Sequence, residues 1–166
     1  MQRQLFLDCD GVLADFDAGA REVLGMSSRA FEHRYGKREF WRRIARARDF
    51  YARLPLMADA RQLFAAVAHL DPIILTGLPL GNWAAPQKVR WAEEHFPATH
   101  IITCMARDKF RHMKGADVLV DDGRIGAIVR DGAPPVSGQA TVDCGGATLM
   151  PGLDESRPFI PVRIAV

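Results

Sequence analysis

Four short apolar runs recur along the chain, and each is followed by polar residues. They cover residues 5–7, 73–75, 100–104 and 118–120 and are rich in Ile, Leu, Val or Phe. Short apolar runs of this kind, bounded by polar positions, are typical of buried β-strands. The pattern therefore predicts four buried strands.

Helical patterns lie between these predicted strands. Leu63 and Val67 recur at helical spacing before the second strand, and Val89 and Phe96 do so before the third. Strands that alternate with helices are typical of a parallel sheet covered by helices. We therefore expect an α/β fold with a Rossmann-like parallel sheet, helices on both faces and a small helical cap inserted after the first strand.

The predicted cap is the segment 17–57, which contains no strand pattern. Phe40, Trp41 and Ile44 fall on one helical face there, among many arginines. The core would comprise residues 1–16 and 58–122. An atypical segment rich in Gly and Pro follows at 123–166, and its composition predicts turns and short strands.

The composition of the 166 residues is that of an ordinary globular protein. They are 48% hydrophobic and 25% charged, with a net charge of +2, which excludes a disordered chain and gives no reason to expect a nucleic-acid partner. The three cysteines form no CxxC pair, which argues against a disulfide framework or a zinc site. No apolar run is long enough for a membrane span, so we expect a cytoplasmic protein.

Polar side chains follow each predicted strand. In a parallel sheet the carboxyl ends of the strands meet at one edge, where ligands bind. We therefore expect the candidate functional side chains to lie at that edge. The residues concerned are Asp8, Asp10, Thr76, Lys109, Asp121 and Asp122.

Two pairs of acids dominate this group. Asp8 and Asp10 directly follow the first strand, and Asp121 with Asp122 follows the fourth. Buried carboxylates repel one another unless a cation lies between them, and a hard ion such as Mg²⁺ prefers oxygen ligands. The alternative for the DxDG run alone is a solvated turn or a helix cap.

Four motifs in this order resemble those of the haloacid dehalogenase-like phosphohydrolases. They are DCDGVLADFD at 8–17, ILTG at 74–77, ARDKF at 106–110 and DVLVDD at 117–122. Within that superfamily the chain is most similar to the cytosolic 5'(3')-deoxyribonucleotidases, from its start to about residue 122.

The resemblance implies a role for each matching residue. Asp8 would be the nucleophile that forms an aspartyl-phosphate, and Asp10 would be the general acid and later the general base. Thr76 would donate a hydrogen bond to the phosphoryl oxygens, and Lys109 would neutralise them. Lys114 is the alternative to Lys109.

The resemblance also implies a metal site and a substrate site. Mg²⁺ would be held by Asp8, by the backbone carbonyl of Asp10, and by Asp121 and Asp122. Lys88 matches a lysine of the nucleotidases, although a helix lysine is more often solvated. The implied substrate-binding residues are Phe16, Trp41, Tyr51, Gly77 and Lys88.

The implied function is Mg²⁺-dependent hydrolysis of a phosphomonoester, in particular a nucleoside monophosphate. The basic cap could attract phosphate esters. One alternative is the same chemistry on a sugar phosphate or another small metabolite, and another is a non-catalytic phosphate-binding or phosphoacceptor domain. The expected partner is a small phosphorylated molecule, with neither nucleic acid nor membrane, and a homodimer is left open.

The C-terminal segment carries a weaker, second resemblance. Its sequence, including VDCGGATLMPGLDESR at 142–157, is similar to the opening strands of metal-dependent amidohydrolases. The histidine metal motif that follows the PGL turn in those enzymes is missing here. Amidohydrolase chemistry is therefore not expected.

Overall fold

A computed structural model describes residues 3–115, 117–121 and 124–128. Its centre is a five-stranded sheet in the order β3-β2-β1-β4-β5. The first four strands are parallel, and the last pairs antiparallel to β4. The strands are β1 (Leu5–Leu7), β2 (Ile73–Leu78), β3 (Ile101–Met105), β4 (Val118–Asp121) and β5 (Arg124–Ile128).

Helices occupy the connections between the parallel strands, which confirms the predicted α/β class with a Rossmann-like parallel sheet. Three α-helices and one 3₁₀ helix lie after β1 in the segment predicted to be a cap. The α-helices are α1 (Phe16–Leu24), α2 (Ser28–Tyr35), α3 (Lys37–Arg46), α4 (Ala60–Val67) and α5 (Ala84–His95). Short 3₁₀ helices cover Tyr51–Arg53, Ala68–Leu70 and Ala106–His112.

Strand β2 is longer than the apolar run that predicted it. Thr76 and Gly77 pair in register with Thr103 and Cys104 of β3, so the ladder continues to Leu78. The expectation that Thr76 follows the strand is therefore wrong. The polar side chain is tolerated inside the strand because its hydroxyl has a hydrogen-bond partner there.

The two faces of the sheet carry separate apolar clusters. Alternate strand residues point to opposite faces: Leu7 and Ile74 belong to a large cluster that takes in residues of α1, α3 and α5. Phe6 and Leu75 belong to a smaller cluster on the opposite face, which Met113 covers just after the last 3₁₀ helix. The large cluster also contains buried aromatic residues of the insertion between β1 and β2.

The end of this insertion is fastened to α5. The backbone N–H of Tyr51 donates to Oε1 of Gln87 at 2.9 Å, and the indole Nε1 of Trp91 donates to the carbonyl of Leu54 at 2.7 Å. Both bonds bury polar groups with a partner, so they favour one arrangement of the two segments. The segment that returns from the insertion therefore lies firmly against the helix after β2.

Several predictions concern residues outside the described ranges. Asp122 is one of them, and so is most of the segment 123–166, including its resemblance to amidohydrolases. Within that segment β5 is a short strand, as the pattern predicted. Among the described helices, none combines the length and the apolar character needed to cross a membrane.

Candidate active site

The turn after β1 presents two carboxylates at the carboxyl edge of the sheet. Leu7 pairs with Val120 of β4, so Asp8, just after β1, and Asp121 come side by side. Asp121 is the last residue of β4 and does not follow the strand as expected, because its pairing with Arg124 of β5 extends the ladder. Cys9 between the two acids turns into the core, as expected, and is almost fully buried. Gly11 adopts a φ of 78°, a left-handed conformation that favours glycine and lets the chain leave the strand sharply.

Asp8 is held by Lys109, which the 3₁₀ helix after β3 supplies. Nζ of Lys109 lies 2.8 Å from Oδ2 of Asp8 and 3.0 Å from Oδ2 of Asp121. The other oxygen of Asp8 accepts a hydrogen bond from the backbone N–H of Cys9 at 2.8 Å. Lys114, the alternative, is exposed. The structure thus brings Asp8, Lys109 and Asp121 together.

Asp10 is held by a different lysine. Nζ of Lys88, on α5, lies 2.6 Å from Oδ2 of Asp10 and donates to Oγ1 of Thr76 at 2.8 Å. Lys88 is only 1% exposed, so it is not the solvated helix lysine that its position suggested as the alternative. The second oxygen of Asp10, Oδ1, is buried and has no hydrogen-bond partner among the described residues.

Burial and neighbouring charges shift the pKa values of Asp8 and Lys109. Burial raises the pKa of Asp8 from 3.8 to about 7, partly opposed by Lys109 and reinforced by Asp121. For Lys109, burial lowers the pKa, but Asp8 and Asp121 outweigh it and the net shift is upward. The centre therefore has more negative charge than its single lysine neutralises.

The chemistry of these donors fits a hard divalent cation. Two carboxylates, Asp8 and Asp121, already converge on one positive charge, so one negative charge has no counter-ion when both are ionised. Within the described ranges no set of three acidic, cysteine or histidine side chains is arranged to hold a metal. Asp122, the other predicted ligand, lies outside those ranges.

A cavity of about 410 Å³ opens beside Asp10, between the turn after β1 and the insertion. Three carboxylates and two aromatic rings contribute to its wall. The lining residues are Asp10, Gly11, Asp15, Phe16, Asp17, Trp41 and Met57. Phe16 and Trp41, two of the implied substrate-binding residues, therefore line the same cavity as Asp10.

Tyr51 and Gly77 have other surroundings. Tyr51 is 2% exposed and does not line this cavity. Its ring lies 4.4 Å from Nζ of Lys88 and packs on Trp83 at a centroid distance of 5.4 Å. Gly77 lies against Ala106, the first residue of the helix that carries Lys109, and a Cβ there would come within 3.1 Å of Ala106 Cβ.

The basic residues of the insertion do not line the cavity at Asp10. Arg29, His33 and Arg34 of α2 instead line a separate cavity of about 790 Å³. Arg42 and Arg43, which are exposed, pair with the half-buried Glu39 on α3. The wall next to the two carboxylates of the first turn is therefore acidic and aromatic.

Three cavity residues were not singled out from the sequence. Asp15 caps α1 by accepting a hydrogen bond from the N–H of Ala18 at 2.9 Å, and Oδ1 of Asp17 accepts one from the hydroxyl of Ser28 at 2.8 Å. Their signal was present in the ADFD extension of the first motif. Met57 had no comparable signal, because only the return of the insertion brings it to the cavity.

Comparison with known proteins yields no assignment. No family model matches the chain, and no curated protein matches it in sequence.

Proposed function

We propose that the protein is a Mg²⁺-dependent phosphomonoester hydrolase that acts through an aspartyl-phosphate, with a nucleoside monophosphate as its substrate. The observation that carries this proposal is the separate pairing of the two carboxylates after β1. Asp8 lies against Lys109, and Asp10 lies against Lys88. Two neighbouring acids with different partners suit two different roles in one reaction.

In the first step, an oxygen of Asp8 attacks phosphorus and the bond from phosphorus to the leaving oxygen breaks. The electron pair of that bond stays with the leaving oxygen, which takes a proton from Asp10 and departs as an alcohol. The product on the protein is the aspartyl-phosphate of Asp8. Asp10 is then a carboxylate.

In the second step, water attacks the phosphorus of the aspartyl-phosphate. Asp10 takes a proton from that water, and the bond between phosphorus and the oxygen of Asp8 breaks. Inorganic phosphate leaves, and both carboxyl groups return to their starting state. The net reaction is phosphate ester and water to alcohol and phosphate.

Two polar groups, Thr76 and Lys109, suit the charge on the transferring phosphoryl group. Thr76 Oγ1 accepts a hydrogen bond from Lys88, which leaves its own hydroxyl hydrogen free to be donated to a phosphoryl oxygen. Lys109, next to Asp8, supplies positive charge there. Fixed donors and charges of this kind stabilise the transition state without reorganising during the reaction.

Asp8, Asp121 and the backbone carbonyl of Asp10 are the groups that would hold Mg²⁺. When bound, the ion would neutralise phosphoryl oxygens and the excess negative charge beside Asp8. The convergence of these two carboxylates on the single ammonium group of Lys109 supports a second cation at this position.

The cavity beside Asp10 favours a leaving group without a second phosphate. Its acidic wall would repel further negative charge, while Phe16 and Trp41 offer faces for a nucleobase. The same acidic wall also favours a sugar phosphate, because Asp15 and Asp17 could accept hydrogen bonds from sugar hydroxyls. A sugar phosphate is therefore the second candidate substrate.

Phosphate release from nucleoside monophosphates and sugar phosphates, with Mg²⁺ or EDTA, tests the proposal. We expect Mg²⁺-dependent release that Asp8→Asn abolishes. Asp71→Asn is the matched control, since it makes the same chemical change at an exposed residue before β2. A folded protein that releases nothing, or that accumulates a stable acyl-phosphate, would favour the non-catalytic phosphate-binding alternative.

A further inference from the structure

Lys88 is the most enclosed charged side chain among the described residues. It is 1% exposed, and its ammonium group contacts Asp10 from the turn after β1 and Thr76 within β2. A buried ammonium needs charge or hydrogen-bond partners to offset its lost hydration. The partners of Lys88 are both residues with a role in the proposed reaction.

The third contact of Lys88 comes from the insertion. The ring of Tyr51 lies 4.4 Å from Nζ, within the range of a cation–π interaction. The ring packs on Trp83, and the backbone N–H of Tyr51 donates a hydrogen bond to the side chain of Gln87. Tyr51 is 2% exposed, so its ring is enclosed together with the ammonium group.

The ring of Tyr51 differs from the other contacts of Lys88 because it attracts the ammonium group without accepting a strong hydrogen bond. It therefore holds Nζ without competing with Asp10 for its N–H groups. The N–H groups of Lys88 remain directed to Oδ2 of Asp10 and Oγ1 of Thr76, at 2.6 and 2.8 Å.

This arrangement makes the two oxygens of Asp10 different. Oδ2 is bound by Lys88, whereas Oδ1 is buried without a partner among the described residues. A buried unpaired carboxylate oxygen is costly and calls for an explanation. Oδ1 is therefore the oxygen of Asp10 whose hydrogen-bonding capacity no described residue uses.

We propose that Lys88 and Tyr51 are positioning residues that orient the carboxyl group of Asp10, so that Oδ1 performs the proton transfers. The inference rests on the proposed function, because it assigns a role within that reaction. It replaces the expectation that Tyr51 binds the substrate. The insertion then contributes to the chemistry through Tyr51, in addition to forming a wall of the cavity.

The first test compares leaving groups. p-Nitrophenol leaves readily without a proton, whereas an alkyl alcohol needs one from Asp10. We expect Tyr51→Leu to lower kcat about tenfold for an alkyl phosphate and less than about threefold for p-nitrophenyl phosphate. Tyr51→Phe keeps the ring and is expected to retain the wild-type ratio.

Phe50→Leu is the matched control for this test. Phe50 is a neighbouring buried aromatic residue that packs on Tyr51 at 5.1 Å, and no contact with Lys88 is among its ring interactions. Its loss should reduce stability while leaving the ratio of the two rates unchanged. An equal loss of both rates in Tyr51→Leu would overturn the positioning role.

The second test needs no turnover. A double-mutant cycle of Tyr51→Leu with Lys88→Met, followed by urea unfolding, measures the coupling between the ring and the ammonium. We expect the unfolding constants to depart from additivity by about tenfold, and the cycle of Phe50→Leu with Lys88→Met to be additive. Additivity in the Tyr51 cycle would overturn the inference.

The two proposals fail in different ways. A folded wild type without turnover on either ester overturns the proposed function and, with it, the proton-transfer role of Asp10. Turnover by the wild type with an unchanged ratio in Tyr51→Leu overturns the positioning role alone.

Discussion

Two buried lysines contact the two carboxylates after β1, and the surroundings of the two lysines differ. Lys109 comes from a 3₁₀ helix and faces two carboxylates, Asp8 and Asp121. Lys88 comes from the regular helix α5 and faces one carboxylate, one hydroxyl and one aromatic ring. The first centre has two carboxyl groups for one lysine, whereas the second has one carboxyl group for one lysine.

The difference indicates that Lys109 and Lys88 have different roles in the site. The excess negative charge around Asp8 favours the binding of a cation, and that cation would attract a phosphoryl group. The balanced pair of Lys88 and Asp10 is suited to fixing an orientation, because its contacts are short and complete except at Oδ1 of Asp10. Charge therefore dominates at one centre and geometry at the other.

Replacing each lysine by methionine should give the largest difference in activity between the two centres. We expect Lys109→Met to lower kcat/KM about 10²- to 10³-fold for every phosphate ester, because charge beside the nucleophile is lost. Lys88→Met should affect alkyl phosphates far more than p-nitrophenyl phosphate. Steady-state kinetics of both variants on an alkyl phosphate and on p-nitrophenyl phosphate measure these effects. The same relative loss on the two esters in both variants would contradict different roles for the two lysines.

The pH dependence of stability should reveal the charge imbalance at Asp8. Because its pKa is raised from 3.8 to about 7, folded metal-free protein keeps a proton that the unfolded chain loses between about pH 4 and 7. The contribution of Asp8 to the free energy of unfolding should therefore fall as pH rises through that window, by on the order of 4 kcal/mol.

Urea unfolding in EDTA at several pH values isolates this contribution. It is the difference between the wild type and Asp8→Asn, in which it should vanish, while Asp71→Asn should keep the wild-type slope. A difference that grows in the opposite direction with pH would show that Lys109 outweighs burial at Asp8.

Gly77→Ala should disturb the Lys109 centre and spare Lys88. The new Cβ would lie 3.1 Å from Ala106 Cβ and 3.4 Å from Ala106 Cα, which pushes on the helix that carries Lys109. We expect a loss of about 1 kcal/mol in stability and about a tenfold loss in kcat, since small misplacements are costly.

Gly19→Ala provides the comparison for that variant. A Cβ at Gly19 would overlap Leu54 in the insertion, so stability should fall while kcat stays within about twofold of the wild type. Equal kcat losses in both variants would mean that the effect of Gly77→Ala is general destabilisation.

The smallest effect is expected at the exposed ion pairs of Glu39. This side chain accepts hydrogen bonds from Arg42 and Arg43 on α3, and its pKa is lowered mainly by Arg42. Solvent screens such pairs, so Glu39→Gln should change neither urea unfolding nor kcat measurably. A clear loss would show that exposed pairs of the insertion matter as much as the two buried lysines.

Much of the candidate site could be predicted because it depends on strand ends. Apolar runs located β1 and β4, and parallel pairing of neighbouring strands then places Asp8 beside Asp121. Lys109 followed from its position just after β3. The end of β2 was predicted too early, because ladder pairing with β3 extends the strand through Thr76 and Gly77, whatever their polarity.

The sequence by itself determined the α/β fold and the gathering of acids at one edge of the sheet, because short-range patterns of polarity encode both. Only the tertiary structure decided that Lys88 is buried against Asp10, 78 positions away, and that Tyr51 faces Lys88. These contacts depend on how the returning insertion packs on α5. No local periodicity specifies that packing, since it arises from burying distant aromatic side chains and satisfying one enclosed charge.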